Sequence, residues 1–495
     1  MPRVLLAALL ALVSIAATAW YHHLNVKALK HEHPNFLYAN NTIKTPDDNA
    51  YLAPPLNYYQ RGEWRELHPG ASAWFLRTPG YGLYRLLLLE CFGLKHAPEA
   101  VFVVQLILFG ISTAALFYIA IFIGLGNFLS AITALIYGAT PFACSLVNYN
   151  ITESITPQLL ILIIALMLWW RLCRKRELLF STLFLLAFLI ITRPVLGFLL
   201  LPCGIIFWKD FRNFKVLKTS AALSFTLLPL LVWEIRNTRI AGKFPGLHPI
   251  YFETNNNLYR STHRECWNFE KLFGKDVTSF HEETISMWSG AIGDTSFSLA
   301  KKMALGCPQW LSASIGDSAL LQAFVLYEKS MVIQQLRYPA ERLMPDTIPD
   351  YEKTVAENFL LLQQHLVNNH WWRCEVTAPM LNLKRMAAHS NLSLYIFQHT
   401  YRGRLWMEVI RMLFACLHIS AFLSLLPILF FAEKIGPAAR QLRPFALATA
   451  LYLIYLAWFF RALEERYTLP FLAVGLLCLG ALFHSVRNKI KSTSW

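Results

Sequence analysis

The sequence predicts an all-α polytopic membrane protein of about ten transmembrane helices carrying a mostly helical extracytoplasmic domain. Three observations lead there. Of 495 residues, 56% are hydrophobic and only 15% charged, where a soluble chain carries about a quarter charged residues. The apolar residues gather in blocks close to the length that crosses a hydrocarbon core, about 17–25 residues. Lys and Arg concentrate in alternate short loops, as the positive-inside rule requires. Helices are the way through, because a bilayer core offers no water to unpaired backbone groups.

The first apolar block, residues 4–20, reads as a retained span rather than a cleaved leader, since the topology closes if it stays. A polar stretch rich in Tyr, Asn, Pro and His follows over 22–98. Span two covers 99–124, and Gly124-Leu125-Gly126 turns the chain into span three, 128–146. A connection holding Asn148 to Glu153 leads into span four, which ends at Trp170 before the cluster Arg171, Arg174, Lys175 and Arg176. Spans five and six, 178–191 and 195–208, are short and broken by Thr192-Arg193-Pro194. The cluster Lys209, Arg212, Lys215 and Lys218 precedes span seven at 221–233. A long polar segment, 234–403, comes next, and its 351–366 patch is amphipathic. Three last spans lie at 406–431, 445–460 and 468–484.

The short loops on the inferred cytoplasmic side hold the basic clusters, together with Lys434, Arg440, Arg443 and the final Arg487, Lys489 and Lys491. The opposite short loops hold only Arg193, Arg461 and Arg466. Both long polar segments therefore face outward, because long segments translocate whatever their charge. The organisation is an N-terminal transmembrane module (1–233) with a first outer loop (22–98), an extracytoplasmic domain (234–403) and C-terminal transmembrane helices (404–495). No internal repeat suggests inverted halves. The formal charge of +15 belongs to this orientation pattern, so no nucleic-acid partner is expected; the partners in contact are membrane lipids.

Nine cysteines carry no C-x-x-C spacing. Cys266, Cys307 and Cys374 fall in the outer segment, where an odd number allows at most one internal disulfide. His22, His23, His31 and His33 flank the first span and read as solvated loop residues before metal ligands. No cofactor is read from the sequence; a divalent metal is compatible with it, but no ligand set is assigned.

The sharpest chemical signal is Thr45-Pro46-Asp47-Asp48-Asn49-Ala50-Tyr51-Leu52 in the first outer loop. Adjacent carboxylates where a loop returns to the membrane raise one another's pKa, which suits a general base. A helix cap uses the same residues, and the two readings stay open. Arg77, Arg193, Arg236 and Arg466 lie at the outer boundary. Each alone can snorkel, but several on one side form a natural phosphate site, since guanidinium pairs its donors to phosphate oxygens. Glu153 and Arg193 stand out as ionisable groups at the ends of spans, with a helix-start role open to Glu153. Residues 251–259 mix amides and aromatics, as sugar sites and surface turns both do; Asn257 and Tyr259 are its candidates. No Gly-rich phosphate cradle is present.

Taken in order, Asp47-Asp48-x-x-Tyr51-Leu52, Arg61-Gly62-Glu63-Trp64, Arg77-Thr78-Pro79-Gly80-Tyr81-Gly82 and Cys91-Phe92-Gly93 resemble the first loop of GT-C glycosyltransferases. The nearest likeness is to glycosyltransferase family 39 and the bacterial aminoarabinose transferases of lipid A. Thr152-Glu153-Ser154, Thr192-Arg193-Pro194, Trp233-Glu234-Ile235-Arg236-Asn237, Gly242-Lys243-Phe244 and Arg466-Tyr467-x-x-Pro470 resemble later landmarks of the same superfamily. Residues 1–260 carry the resemblance well, the last spans moderately and the outer domain hardly at all.

The resemblance implies a GT-C fold and an inverting glycosyltransferase. Its donor would be a polyprenyl-phosphate sugar, and its acceptor the hydroxyl of a lipid, glycan or protein. The site would face the periplasm or exterior from a bacterial inner membrane. Asp47, with Asp48 second, would be the base. Arg77, Arg193, Arg236 and Arg466 would hold the donor phosphate, and Tyr51, Tyr81, Glu153, Asn257 and Tyr259 the substrates. Two departures matter: the loop reads Arg77-Thr78-Pro79 where the family has a basic residue before Pro-Pro, and Leu76 stands where those transferases place a metal-binding Glu. No zinc site is carried over. The rival readings are a lipid-linked sugar flippase or secondary transporter, and an O-antigen ligase or polymerase.

Overall fold

The computed structural model describes residues 2–45, 47–68, 71–73, 77–211, 214–242, 244, 246–247, 261–273, 290–337, 349–387, 396–461 and 464–493. Helices dominate them. The departures from an all-helical chain are an antiparallel hairpin, β1 (Glu66–His68) and β2 (Ala71–Ala73), and single bridges joining Leu37, Ile43 and Tyr149.

The first span is α1 (Arg3–Glu32), longer than the apolar block because the helix runs past the membrane boundary. A short helix, α2 (Asp48–Arg61), occupies the first outer loop. Next comes α3 (Gly80–Phe122), bent at Gly93, whose φ of 71° and ψ of 173° suit glycine alone. The leg 80–92 packs on α2, so helix begins well before residue 99, where the apolar block alone starts the span. Beyond the turn come α4 (Gly126–Ala139), bent by 45° into α5 (Pro141–Ser145), and α6 (Thr156–Cys173).

The broken pair takes the expected form. α7 (Arg176–Thr192) stops at Arg193, a 3-10 turn covers Pro194–Leu199, and α8 (Leu200–Asp210) returns. Pro194 has no N–H to continue the ladder and sterically disfavours helix in the residue before it; Arg193 is accordingly extended, with φ of −147°. α9 (Lys215–Ala241) leads to the outer domain. The last membrane helices are Leu405–Leu423, Leu425–Ile435, Pro437–Ile454 and Leu469–Thr493. By length and apolarity seven described helices can cross a membrane, or eight with the bent pair. The shortfall from ten falls on α7, with 17 residues, and α8, with 11.

One end of the bundle collects the short basic loops. Arg3 donates to Asn127 at 3.1 Å, Arg171 and Arg174 pair with Asp210 at 2.8 and 3.0 Å, and Gly124, Gly436 and His484 share a cavity. The other end holds Asp47, Glu153, Arg193 and Arg466 together. The main core joins α3, α4, α6, α7 and the last helices through residues such as Phe109, Tyr137, Ile161 and Phe471. A second core belongs to the described helices between residues 261 and 374 and centres on Phe269, Phe324, Tyr327 and Phe359. Helix Asp350–Trp372 contributes Val355, Phe359 and Leu366 to buried positions, the apolar face of the amphipathic patch. Cys266, Cys307 and Cys374 are buried there as free thiols.

Candidate functional site

The start of α2 separates the two adjacent aspartates. Thr45 donates its backbone N–H to Asp48 Oδ2 at 3.0 Å and its hydroxyl to Asp48 Oδ1 at 2.5 Å. Asp48 is the first residue of the helix, so these two bonds tie the preceding loop to it. Asp48 is thereby turned inward and buried at 1% exposure. Burial pushes its pKa up, while the bonds from Thr45 pull the other way. Asp47, one residue earlier, is left facing the cavity.

A second constraint comes from α3. Gly80 meets the backbone of Thr192 so closely that an added Cβ would lie 2.5 Å from its Cα, and Thr78 Oγ1 donates to Thr192 O at 3.2 Å. The start of α3 is thus locked to the end of α7, which sets Arg77 and Arg193 around one space.

Arg77 Nη2 donates to Asp47 Oδ1 at 2.6 Å, and Arg466 Nη2 donates to Asp47 Oδ2 at 3.1 Å. Arg466 also pairs with Glu464 at 2.5 Å and lies 3.7 Å from Glu153. Arg193 Nη1 sits 2.6 Å from Glu153 Oε1, whose second oxygen accepts from Thr152 at 2.9 Å. The Tyr467 ring lies under both Arg193 (4.9 Å) and Arg466 (5.7 Å), and the Tyr51 ring under Arg77 at 5.7 Å. Three guanidiniums and three carboxylates thus share one network. Its depth is graded: the side chains of Arg77 and Asp47 are 43% and 28% exposed, those of Arg193 and Glu153 12% and 5%. Burial alone would raise the Glu153 pKa, but Arg193 and Arg466 outweigh it and hold the carboxyl at about 2.

These side chains line a cavity of about 370 Å³, walled also by Thr192, Pro194, Val195, Tyr455, Leu456 and Phe460. Of the residues expected at the site, Asp47, Tyr51, Arg77, Glu153, Arg193 and Arg466 meet there. Asp48 stands behind the wall. Tyr81 is buried in a second row, 5.5 Å from the Tyr51 ring and bonded by Gln105 at 3.1 Å. Arg236 is elsewhere: it donates to Trp64 O at 2.7 Å, covers the Trp233 ring at 4.5 Å, and lines a separate apolar cavity of about 550 Å³. Asn257 and Tyr259 lie outside the described residues. Sequence reasoning missed Glu464 and Thr152; the acidic pair Glu464-Glu465 just before Arg466 was the available signal for the first. Among the described residues no group of three or more His, Cys, Asp and Glu is arranged to hold a metal ion.

No protein-family model and no curated protein matches the chain. Among solved structures, it is similar to the Archaeoglobus fulgidus oligosaccharyltransferase tethered with an acceptor peptide, at 10% identity and a TM-score of 0.45, over 99% of this chain and 50% of that one. The chain thus spans half the length of that protein. It is also similar to ArnT from Cupriavidus metallidurans. The apo form gives 15% identity and a TM-score of 0.35 over 93% of this chain and 78% of that one. The form bound to undecaprenyl phosphate gives 13% and 0.33 over 94% and 77%. At these TM-scores the likeness is loose, and it adds nothing to the role of any single residue.

Proposed function

We propose that the protein is an inverting glycosyltransferase that moves a sugar from a polyprenyl-phosphate donor to an acceptor hydroxyl on the outer side of a bacterial inner membrane. The observation that carries this reading is Asp47 held between Arg77 and Arg466 at the mouth of the cavity. In the reaction the acceptor oxygen attacks the anomeric carbon as the bond from that carbon to the phosphate oxygen breaks. The acceptor proton passes to Asp47 and the electron pair leaves with the phosphate. Guanidiniums aimed at the departing oxygens stabilise that charge where it develops. An incoming phosphate competes with Asp47 for Arg77 and Arg466, and so frees the carboxylate for the acceptor. Arg193, held by buried Glu153, supplies fixed N–H donors on the cavity wall.

The flippase or transporter reading needs charged groups along a path through the bilayer. The gathering of this network at one end of the bundle favours transfer over carriage. The test is transfer by the purified protein from a panel of radiolabelled polyprenyl-phosphate sugars, alongside Asp47→Asn. We expect one donor to be consumed, with the variant slower by about 10²–10⁴-fold, the usual share of a general base. Labelled lipid that crosses liposomes unconsumed would replace the transferase with a flippase.

A further inference from the structure

After a break at His370 (φ −133°, ψ 35°) the chain continues as one helical run through a π-turn, Arg373–Thr377, and the helix Ala378–Ala387. Its two faces differ sharply. Ala378, Asn382 and Met386 are buried, and Leu383, Met386 and Ala387 pack into the main membrane core. This face rests on Leu405–Leu423, Tyr455–Phe460 and Glu465–Thr468, the outer ends of membrane helices. The run therefore lies along the outer rim of the bundle.

The other face is exposed at helical spacing: Trp371 and Trp372 at 55% and 66%, Met380 and Leu381 at 50% and 41%, with Arg373, Lys384 and Arg385 beside them. The one acid of the run, Glu375, is turned away and bound by Arg461, while Trp458 Nε1 donates to Glu375 O at 3.1 Å. Two tryptophans, two large apolar residues and the cations Lys384 and Arg385 remain on a face that carries no exposed carboxylate, while Arg373 lies over the Trp310 ring at 5.2 Å. Left in water, such a face leaves large apolar surface unburied. A phospholipid interface suits every part of it: indole rings settle at headgroup depth, apolar side chains reach the acyl boundary, and Lys and Arg meet anionic phosphates. The surface is continuous with lipid-facing side chains of the spans beneath, Leu405 at 83% and Phe459 at 73% exposure.

We propose that residues 371–387 form an interfacial platform that seats the outer domain on the outer leaflet and binds anionic phospholipid headgroups through Lys384 and Arg385. It stands beside the cavity, because Leu456 and Phe460 belong both to the helix turn under the platform and to the cavity wall. The proposal is independent of the reaction assigned above.

The test uses the full chain in vesicles with its exposed cysteines Cys91, Cys173 and Cys416 replaced by serine. A nitroxide is placed at Leu381→Cys, at Met380→Cys as a second position, and at Thr354→Cys as an outer-domain control, itself about 24 Å along the helix from the break at His370. The platform labels should collide with oxygen several-fold more than with a water-soluble nickel chelate, with the reverse at residue 354. Adding phosphatidylglycerol to phosphatidylcholine should deepen the platform labels, and Lys384→Gln with Arg385→Gln should abolish that response. Labels at 380 and 381 as water-accessible as the control would overturn the platform and leave the face to a protein partner. Insertion indifferent to phosphatidylglycerol would overturn headgroup recognition.

Discussion

Two neighbouring carboxylates with opposite surroundings give the clearest residue-scale contrast. Asp47→Asn should lower kcat by about 10²–10⁴-fold, whereas Asp48→Asn should keep kcat within about tenfold, because Asp48 stands outside the cavity and its bonds from Thr45 only tie the loop to the start of α2. Steady-state kinetics with the accepted donor separate them. The pair was legible from sequence but its division of labour was not. A cap by either aspartate and a general base were both open readings, and what faces Asp47 is Arg466, far beyond any local pattern. Glu153 gives a pH prediction. Its carboxyl is held at about 2, below the ordinary 4.5, so its contribution is complete above the ordinary value and is lost as pH falls toward 2. Thermal unfolding in detergent should steepen across that window, and Glu153→Gln should flatten it. The variant should also lose about 3–5 kcal/mol by stranding Arg193 without its partner.

The contact between helix ends matters most among the elements. Gly80 lets the start of α3 touch Thr192, and that contact spaces Arg77 from Arg193. Gly80→Ala should cost about 1–3 kcal/mol through overpacking and raise the donor KM more than it lowers kcat; a melting curve and a donor titration check both. The break at Arg193-Pro194 was readable because proline chemistry is local. The continuation of α3 on both sides of Gly93 was not, because the leucine run 86–89 is far shorter than a span and the glycine after Phe92 reads as a stop. Arg236 was misleading for a related reason. Its position at the outer boundary was legible, but its engagement with Trp64 and Trp233 depends on how α9 is rotated against the first loop.

Across the whole molecule, the outer domain is tied to the membrane helices at Arg461, which is 8% exposed and donates to Trp458 O at 2.6 Å, to Cys374 O at 3.1 Å and to Glu375. Arg461→Ala should leave the spans folded while the junction becomes open to limited proteolysis, since buried carbonyls and a carboxylate lose their donor. The outer domain was the least legible part because its core draws single faces from separated helices, and only 351–366 announced its periodicity. The cavity, too, is an assembly of distant parts: Asp47 follows the first membrane helix and Arg466 precedes the last. Both partners of the Asp47–Arg77 pair and of the Glu153–Arg193 pair are synthesised long before Arg466. A chain still short of residue 466 therefore lacks one wall of the cavity.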